Sequence, residues 1–406
     1  MVKRFFTALL LFGAAVFLFA EGSLTMDFSI MNTAMRTRAV TLEIPVGETM
    51  PVATIGDSYW GLGTSGSAGM AFKSSGNRNV KAEVSFDFNF PEQEYGGASI
   101  PIITLDRAYV KARFPVLRLT AGKTRLGWGD GFVFNSGDVI FGSTSPYVDL
   151  TASEIRTETD WMTAINIPFG RFSFLEGLIM TPEADADAGK YFGEIQDLSA
   201  GGRIYTKVGG IKVEAGYMFR GNSDSPLHRP YLALQGNLVI DWYLSGSVAL
   251  PASLNASQEE IEDGLKDSFN ISGGLFHIQE LNRVSSMTFR IESLVMPFMA
   301  WEESSPATTA EIPTYGLLLY PEILYLPSDT LSLSLRSVVS PIDISAQITA
   351  GGSWNIFQGF SILGYATINA GEKSDTFAID RSNGVWRAGT DIVDGYAFSL
   401  GVSYIY

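Results

Sequence analysis

Asn79 to Phe90 reads NVKAEVSFDFNF. Val80, Ala82, Val84, Phe86, Phe88 and Phe90 fall on one face, and Asn79, Lys81, Glu83, Ser85, Asp87 and Asn89 on the other. Side chains of a strand alternate between faces, so this is a strand with an apolar side and a charged side. A soluble sandwich strand alternates as well. What decides the fold is that the pattern recurs with its charges. Ile211, Val213, Ala215, Tyr217 and Phe219 oppose Lys212, Glu214, Gly216, Met218 and Arg220. Met287, Phe289 and Ile291 oppose Ser286, Thr288, Arg290 and Glu292, and Leu331, Leu333 and Leu335 oppose Ser332, Ser334 and Arg336. A dry core does not accept Lys, Glu and Arg at such regular positions, whereas a water-filled lumen does.

Connections between these segments alternate in length. Short ones fall near Ser75–Arg78, Pro115, Phe169–Arg171, Gly209–Gly210, Asp241, Asn282, Pro327–Asp329 and Phe357–Gly359. Longer polar ones lie at Val46–Gly61, Pro91–Ile102, Gly129–Arg156, Pro182–Gln196, Gly221–Arg229, Ala252–Asp267, Phe298–Ile312 and Gly371–Trp386, with Ser340–Ile342 a short exception. Short turns at one end and long loops at the other define a single antiparallel transmembrane β-barrel of about 18 strands, with 16 the alternative. The short turns would be periplasmic and the longer loops external. Thr25–Pro45 reads as one strand or as two. Ser257-Gln258-Glu259-Glu260 has capping-box form and predicts a short helix, Ser257 to Lys266, inside a loop.

The ends agree with this class. Lys3 and Arg4 precede an apolar run, Phe5 to Phe19, and Ala20 marks a cleavage point, so residues 1–20 read as a signal peptide and 21–406 as the barrel domain. No Cys is present for lipid attachment, disulfides, zinc or thiol chemistry. Beyond residue 20 no run reaches the roughly 18 apolar residues of a spanning helix. Loss of Lys3 and Arg4 takes the formal net charge from −15 to −17, which disfavours nucleic acid as a partner. At the other end Tyr396, Phe398, Leu400, Val402, Tyr404 and Tyr406 share a face. That terminus resembles the last strand by which outer-membrane proteins are recognised. The resemblance implies a barrel-assembly partner acting on strand 395–406 and residence in the cell outer membrane.

Candidate functional residues lie in Leu105–Phe141, LDRAYVKARFPVLRLTAGKTRLGWGDGFVFNSGDVIF. Alternation places the basic residues Arg107, Lys111, Arg113 and Arg118 toward the lumen. A charge on the lipid face costs about 2–4 kcal/mol near the midplane, which fixes that direction. Lys123 and Arg125 fall on the lipid-side parity, so either a bulge shifts register near Gly122 or they sit at the membrane edge. The loop that follows is expected to fold toward the lumen and form a constriction, with Trp128, Asp130, Asn135 and Asp138 as its residues. Gly127, Gly129 and Gly131 permit the turns, and Asn135 and Asp138 can bond their own backbone. Trp128 is expected at the membrane interface, ring in lipid and N–H wet. Asp130, Asp138 and Asp149 are expected to oppose the basic ladder across a narrow point. A bland alternative is that the motif anchors a loop and the ladder pairs with acids on adjoining strands.

Gly122-Lys123-Thr124-Arg125, Trp128-Gly129-Asp130-Gly131, Asn135 and Asp138-Val139 resemble the pattern Gly-Arg-Gln-x-x-x-Trp-Gly-x-Gly followed by Asn-Pro-x-Asp in alginate-export-like and related large outer-membrane channels. Lys123 stands where Arg is usual, and Ser136-Gly137 replace the Pro. The resemblance implies a monomeric barrel of this size.

Catalysis has little to work with. The two histidines are His228, in a loop, and His277, which alternation with Leu275 and Gln279 points to the lumen. No Gly-x-Ser-x-Gly elbow is present. Asp185 and Asp187 are two apart, but Gln196 stands where a calcium loop needs Glu. No cofactor or metal is expected. The sequence implies a channel for passive diffusion of small hydrophilic solutes in contact with outer-membrane lipid, anionic ones favoured by the ladder. A surface-exposed structural or adhesive barrel with a plugged lumen is the alternative, and an outer-membrane hydrolase a more distant one.

Overall fold

The computed structural model describes residues 22–43, 52–74, 78–95, 98–182, 194–221, 225–253, 256–303, 314–371, 375–377 and 391–406. Residues 1–20 and the segment Glu183–Lys190 lie outside these. The strands are β1 (Gly22–Glu43), β2 (Val52–Ser74), β3 (Val80–Tyr95), β4 (Ala98–Arg113), β5 (Arg118–Thr124) and β6 (Asp160–Pro168). Then come β7 (Phe174–Met180), β8 (Ser199–Val208), β9 (Ile211–Arg220), β10 (Leu227–Asn237), β11 (Asp241–Ser247) and β12 (Asn270–Glu280). The last are β13 (Ser286–Val295), β14 (Leu317–Ser328), β15 (Leu331–Ser340), β16 (Ser345–Phe357), β17 (Phe360–Ala370) and β18 (Asp391–Ile405). Leu250–Pro251 pairs with β10 just as β11 does, so it resumes β11 after two unpaired residues, and the wall has eighteen strands.

Each strand pairs antiparallel with its sequence neighbour, and β18 returns to pair with β1, Asp27 opposite Ile405 and Ala34 opposite Phe398. Closure leaves no edge along the wall, which is the condition for crossing lipid with strands. Alternation is visible in burial. Along β7, Leu175 and Ile179 are 49% and 50% exposed, while Glu176 and Leu178 between them are 6% and 3% exposed. Exposed Ile165, Ile167, Ile291, Leu333, Leu335, Phe398 and Leu400 continue an apolar outer surface around the barrel. A closed wall, apolar outside and charged inside, is the arrangement of a membrane barrel.

Several sequence expectations change in detail. Gly22–Glu43 is one strand. Parts of the expected loops Val46–Gly61 and Pro91–Ile102 are strand, because β2 starts at Val52 and β3 and β4 run to Tyr95 and from Ala98. Residues such as Thr54, Ser58 and Ser99 read as loop composition, yet they continue the ladders. Strand lengths are unequal as a result: β1 has 22 residues, β5 and β7 have 7 each. The predicted helix is α1 (Gln258–Ser268), capped by Ser257 with the reciprocal Glu260 bond.

Two apolar clusters form inside the barrel. Trp128, Val139 and Ile140 pack on Met162, Ala164, Leu178, Met218 and Ala233 of the wall. Val133, Phe134 and Leu150 pack on Leu294, Leu318, Tyr320 and Val338 from the other side. Both are made by the long connection between β5 and β6, which therefore lies within the lumen.

Candidate functional site

The β5–β6 connection enters the lumen because its first residues cannot continue the strand. Gly129 and Gly131 have φ of +67° and +142°. A side chain at Gly129 would come within 2.5 Å of Asn135 Oδ1 and 2.7 Å of the Gly137 Cα. The turn is closed by the Asn135 side chain, whose Nδ2 donates to Trp128 O at 2.9 Å and whose Oδ1 accepts from Gly137 N at 3.0 Å. Asp138 closes the next turn, accepting from Phe141 N and from Ser143 Oγ at 2.5 Å, and its other partner is Arg125 at 2.8 Å. The self-bonding expected of Asn135 and Asp138 is thus present.

Three buried glutamates of the wall hold the loop directly, and a fourth acts through arginines. Glu176 accepts from Trp128 Nε1 at 2.9 Å, and Glu214 accepts from Gly129 N at 2.8 Å. Glu292 accepts from three consecutive backbone amides, Phe132, Val133 and Phe134, at 2.8, 2.8 and 3.0 Å. Glu322 instead binds Arg290 and Arg336 at 3.0 and 2.9 Å. Arg336 reaches on to Leu150 O and Ala152 O, Arg229 donates to Val139 O, and Tyr243 donates to Phe134 O. Arg203 joins Glu176 and Glu214 and lies over the Trp128 ring. Buried acids are matched by buried bases and amides, which is what lets so many charges stand out of water. Burial pushes the Asp138 carboxyl above its ordinary range, with Ser143 and Arg125 opposing, and pushes Asp130 upward too.

Each predicted residue has a definite place. Trp128 is not at the membrane interface: it is fully buried inside the barrel, stacked on Tyr231 with ring centroids 5.7 Å apart. The inner wall at Met162, Ala164 and Leu178 is apolar, so it takes the ring, and Glu176 takes the N–H. Asp130 lines a cavity of about 460 Å³ between the loop and Gln235, Asp241, Tyr243 and Arg290. Arg107, Lys111, Arg113 and Arg118 lie on the inward parity, since they stand opposite Ser85, Lys81, Arg118 and Asn166. Arg107 meets Asp106 at 3.4 Å and Lys111 lies over the Tyr109 ring. The ladder is not brought against the loop acids. Asp138 takes Arg125, Asp149 caps Thr151, and the charges acting on Asp130 are Lys212, Glu214 and Arg203.

Register through Gly122 is unbroken on both sides, with Ala108 opposite Lys123 and Lys123 opposite Trp161. There is no bulge there. The irregularity lies one strand earlier, between Ser85 and Phe86, where Asp106 is the extra residue of β4. Lys123 keeps its outward parity and folds its ammonium back onto Leu105 O at 2.8 Å. Arg125 is beyond the strand and turns inward to Asp138 and Glu158. His277 also differs from expectation. Gly274 and Phe276 face Glu292 and Arg290 inside, so His277, opposite Phe289, faces out.

Sequence reasoning singled out the loop but missed its anchors, Glu176, Glu214, Glu292, Glu322, Arg203 and Arg290. Their signal was present: acids and bases at alternate positions of otherwise apolar strands. What is not readable is which inward charges meet the loop, since those pairs are 48 to 186 residues apart in sequence.

No family model matches the chain, and no curated protein does. Solved structures are similar in overall shape. OccAB4 of Acinetobacter baumannii has 10% identity, covers 95% of this chain and 98% of its own, and gives a TM-score of 0.47. OccD3 of Pseudomonas aeruginosa has 8% identity over 95% of this chain and 91% of its own, with a TM-score of 0.49. The outer membrane channel DcaP of A. baumannii has 9% identity over 95% and 97%, with a TM-score of 0.42.

Proposed function

We propose that this chain is an outer-membrane channel for passive diffusion of small hydrophilic solutes, with anionic ones favoured by the basic wall. One observation carries it: charged and hydroxyl side chains line the inside of a closed barrel whose outside is apolar, and a loop is bound across that inside. Rings of charge at a narrowing act on passing ions through short-range fields. Export under residues 1–20, insertion through strand 395–406 by the assembly machinery, and kinship with alginate-export-like channels belong to the same proposal. The loop motif supports that kinship, since Trp128, Gly129, Asn135 and Asp138 each hold the inserted turn.

The decisive experiment is single-channel recording of the purified protein in planar bilayers, with ion selectivity. Steady conductance is expected, and replacement of Arg107, Lys111 and Arg118 by Ala should lower anion preference. Absence of conductance would favour the second reading, a surface-exposed structural or adhesive barrel plugged by its loop, for which the lumenal position of that loop speaks. We assign no enzyme activity. His228 is bonded to Tyr217 and His277 faces outward, so neither stands beside the acid and hydroxyl that hydrolysis needs.

A further inference from the structure

We propose that solutes cross along one arc of the wall, formed by β18, β1, β2, β3, β4 and β5, and that Asp27, Asp87 and Arg107 are the specificity-determining groups on it. This rests on the channel reading above and states where in the barrel it operates. The loop crosses the lumen eccentrically. Its partners lie on β6 to β15, and inward residues from β9 to β16 are sealed: Met218 and Ser272 are 0% exposed, Thr349 1% and Ala233 2%. Among the described residues, the inward side chains of β1, β2 and β18 are not sealed this way, while Ser85 of β3 and Thr124 of β5 are buried at the margin of the arc. Asp27 and Ser65 are exposed, and Ser29, Thr33, Ser399 and Ser403 are half-buried. Their neighbours on the same face include Gly63, with open space above it, while Gly69 and Gly401 are covered by the side chains of Asp27 and Met31.

The charges of this arc fall in adjacent rows. Asp27, Gly69 and Asp87 are in register across β1, β2 and β3, followed by Thr104 of β4. Gly69 lets the Asp27 carboxylate lean over it toward Asp87, a space that a side chain there would take. The next row holds Thr25, Ala71, Ser85 and Arg107. The bulge at Asp106 brings its carboxylate to Ser85 and to Arg107. A solute on this path therefore meets the carboxylates of Asp27 and Asp87 one row from the Arg107 guanidinium, which Asp106 partly neutralises. Arg107 attracts anionic groups, and Asp27 and Asp87 offset that attraction and accept hydrogen bonds.

The chain has no cysteine, so single cysteines can be placed without interference. Ala71→Cys and Thr33→Cys mark the open arc, and Ala233→Cys and Thr349→Cys the covered one. With a small cationic methanethiosulfonate reagent, single-channel current should fall in steps for the first two variants and stay unchanged for the second two. Each variant must first conduct as the parent does, which shows that it folded. Current loss at Ala233→Cys or Thr349→Cys, or none at Ala71→Cys and Thr33→Cys, overturns the path. If the parent itself conducts nothing, the channel reading fails independently. Asp27→Asn with Asp87→Asn should shift the reversal potential toward anions and Arg107→Ala away from them; unchanged selectivity in either removes those residues from the specificity role.

Discussion

Glu292 gathers three consecutive amides into one carboxylate that is 2% exposed. Hydrogen bonds to a charged group contribute about 1.5–3 kcal/mol each, and buried donors left unpaired cost as much. Glu292→Ala should therefore loosen the Phe132–Phe134 segment by about 3–5 kcal/mol. Hydrogen exchange should show those amides losing protection, while Glu292→Gln keeps part of it because one amide oxygen still accepts. Unchanged protection in the Ala variant would contradict this anchoring. Asp138 adds a pH dependence. Burial raises its carboxyl above the ordinary 3.8, so the docked loop holds the proton more tightly than a released one. Docking support from this group is then full below 3.8 and is lost as pH rises through the higher docked value. Asp138→Asn should flatten that slope in loop exchange rates measured from pH 3 upward, a window set by this upward shift. A slope identical to the parent's would assign it to other groups.

At the scale of elements, the strands were readable and the inserted loop only partly so. Period-two alternation alone places Glu214, Arg290, Glu292 and Arg336 on the inward face. Capping chemistry placed α1 at Ser257, because the Ser-x-x-Glu bonds are local. Trp128 was misplaced for the opposite reason. An aromatic beside a membrane segment fits the interface equally well, and only the apolar inner wall at Met162, Ala164 and Leu178 draws it inside. Removing its ring should cost about 3–5 kcal/mol. Trp128→Ala is thus expected to free the Gly127–Ile140 half of the loop, read as faster proteolytic cleavage there with the barrel intact. Gly129→Ala should act in the same direction, since it combines a left-handed φ with a clash against Asn135 and Gly137. Resistance equal to the parent's in both would place the hold on the loop elsewhere.

For the molecule as a whole, closure and strand number follow from the sequence because each rests on local alternation and on turn length. The eccentric lumen did not, because it depends on pairs such as Trp128 with Glu176 and Phe132 with Glu292 that join distant strands. Excision of residues 130–150, replaced by a short Gly-Ser linker, should enlarge single-channel conductance and weaken ion selectivity; a smaller or unchanged current would mean that the loop does not narrow the path. The uneven strand lengths bear on the surrounding lipid. A strand of 7 residues, as in β5 and β7, rises only about 18 Å at the usual tilt, against an apolar band of about 25 Å. Acyl chains beside that low sector must shorten or splay, at a fraction of a kcal/mol per ångström, while those beside the 22-residue β1 need not. The barrel is therefore expected to press an off-centre dent into its bilayer, and neighbouring molecules sensitive to thickness would gather at that one flank.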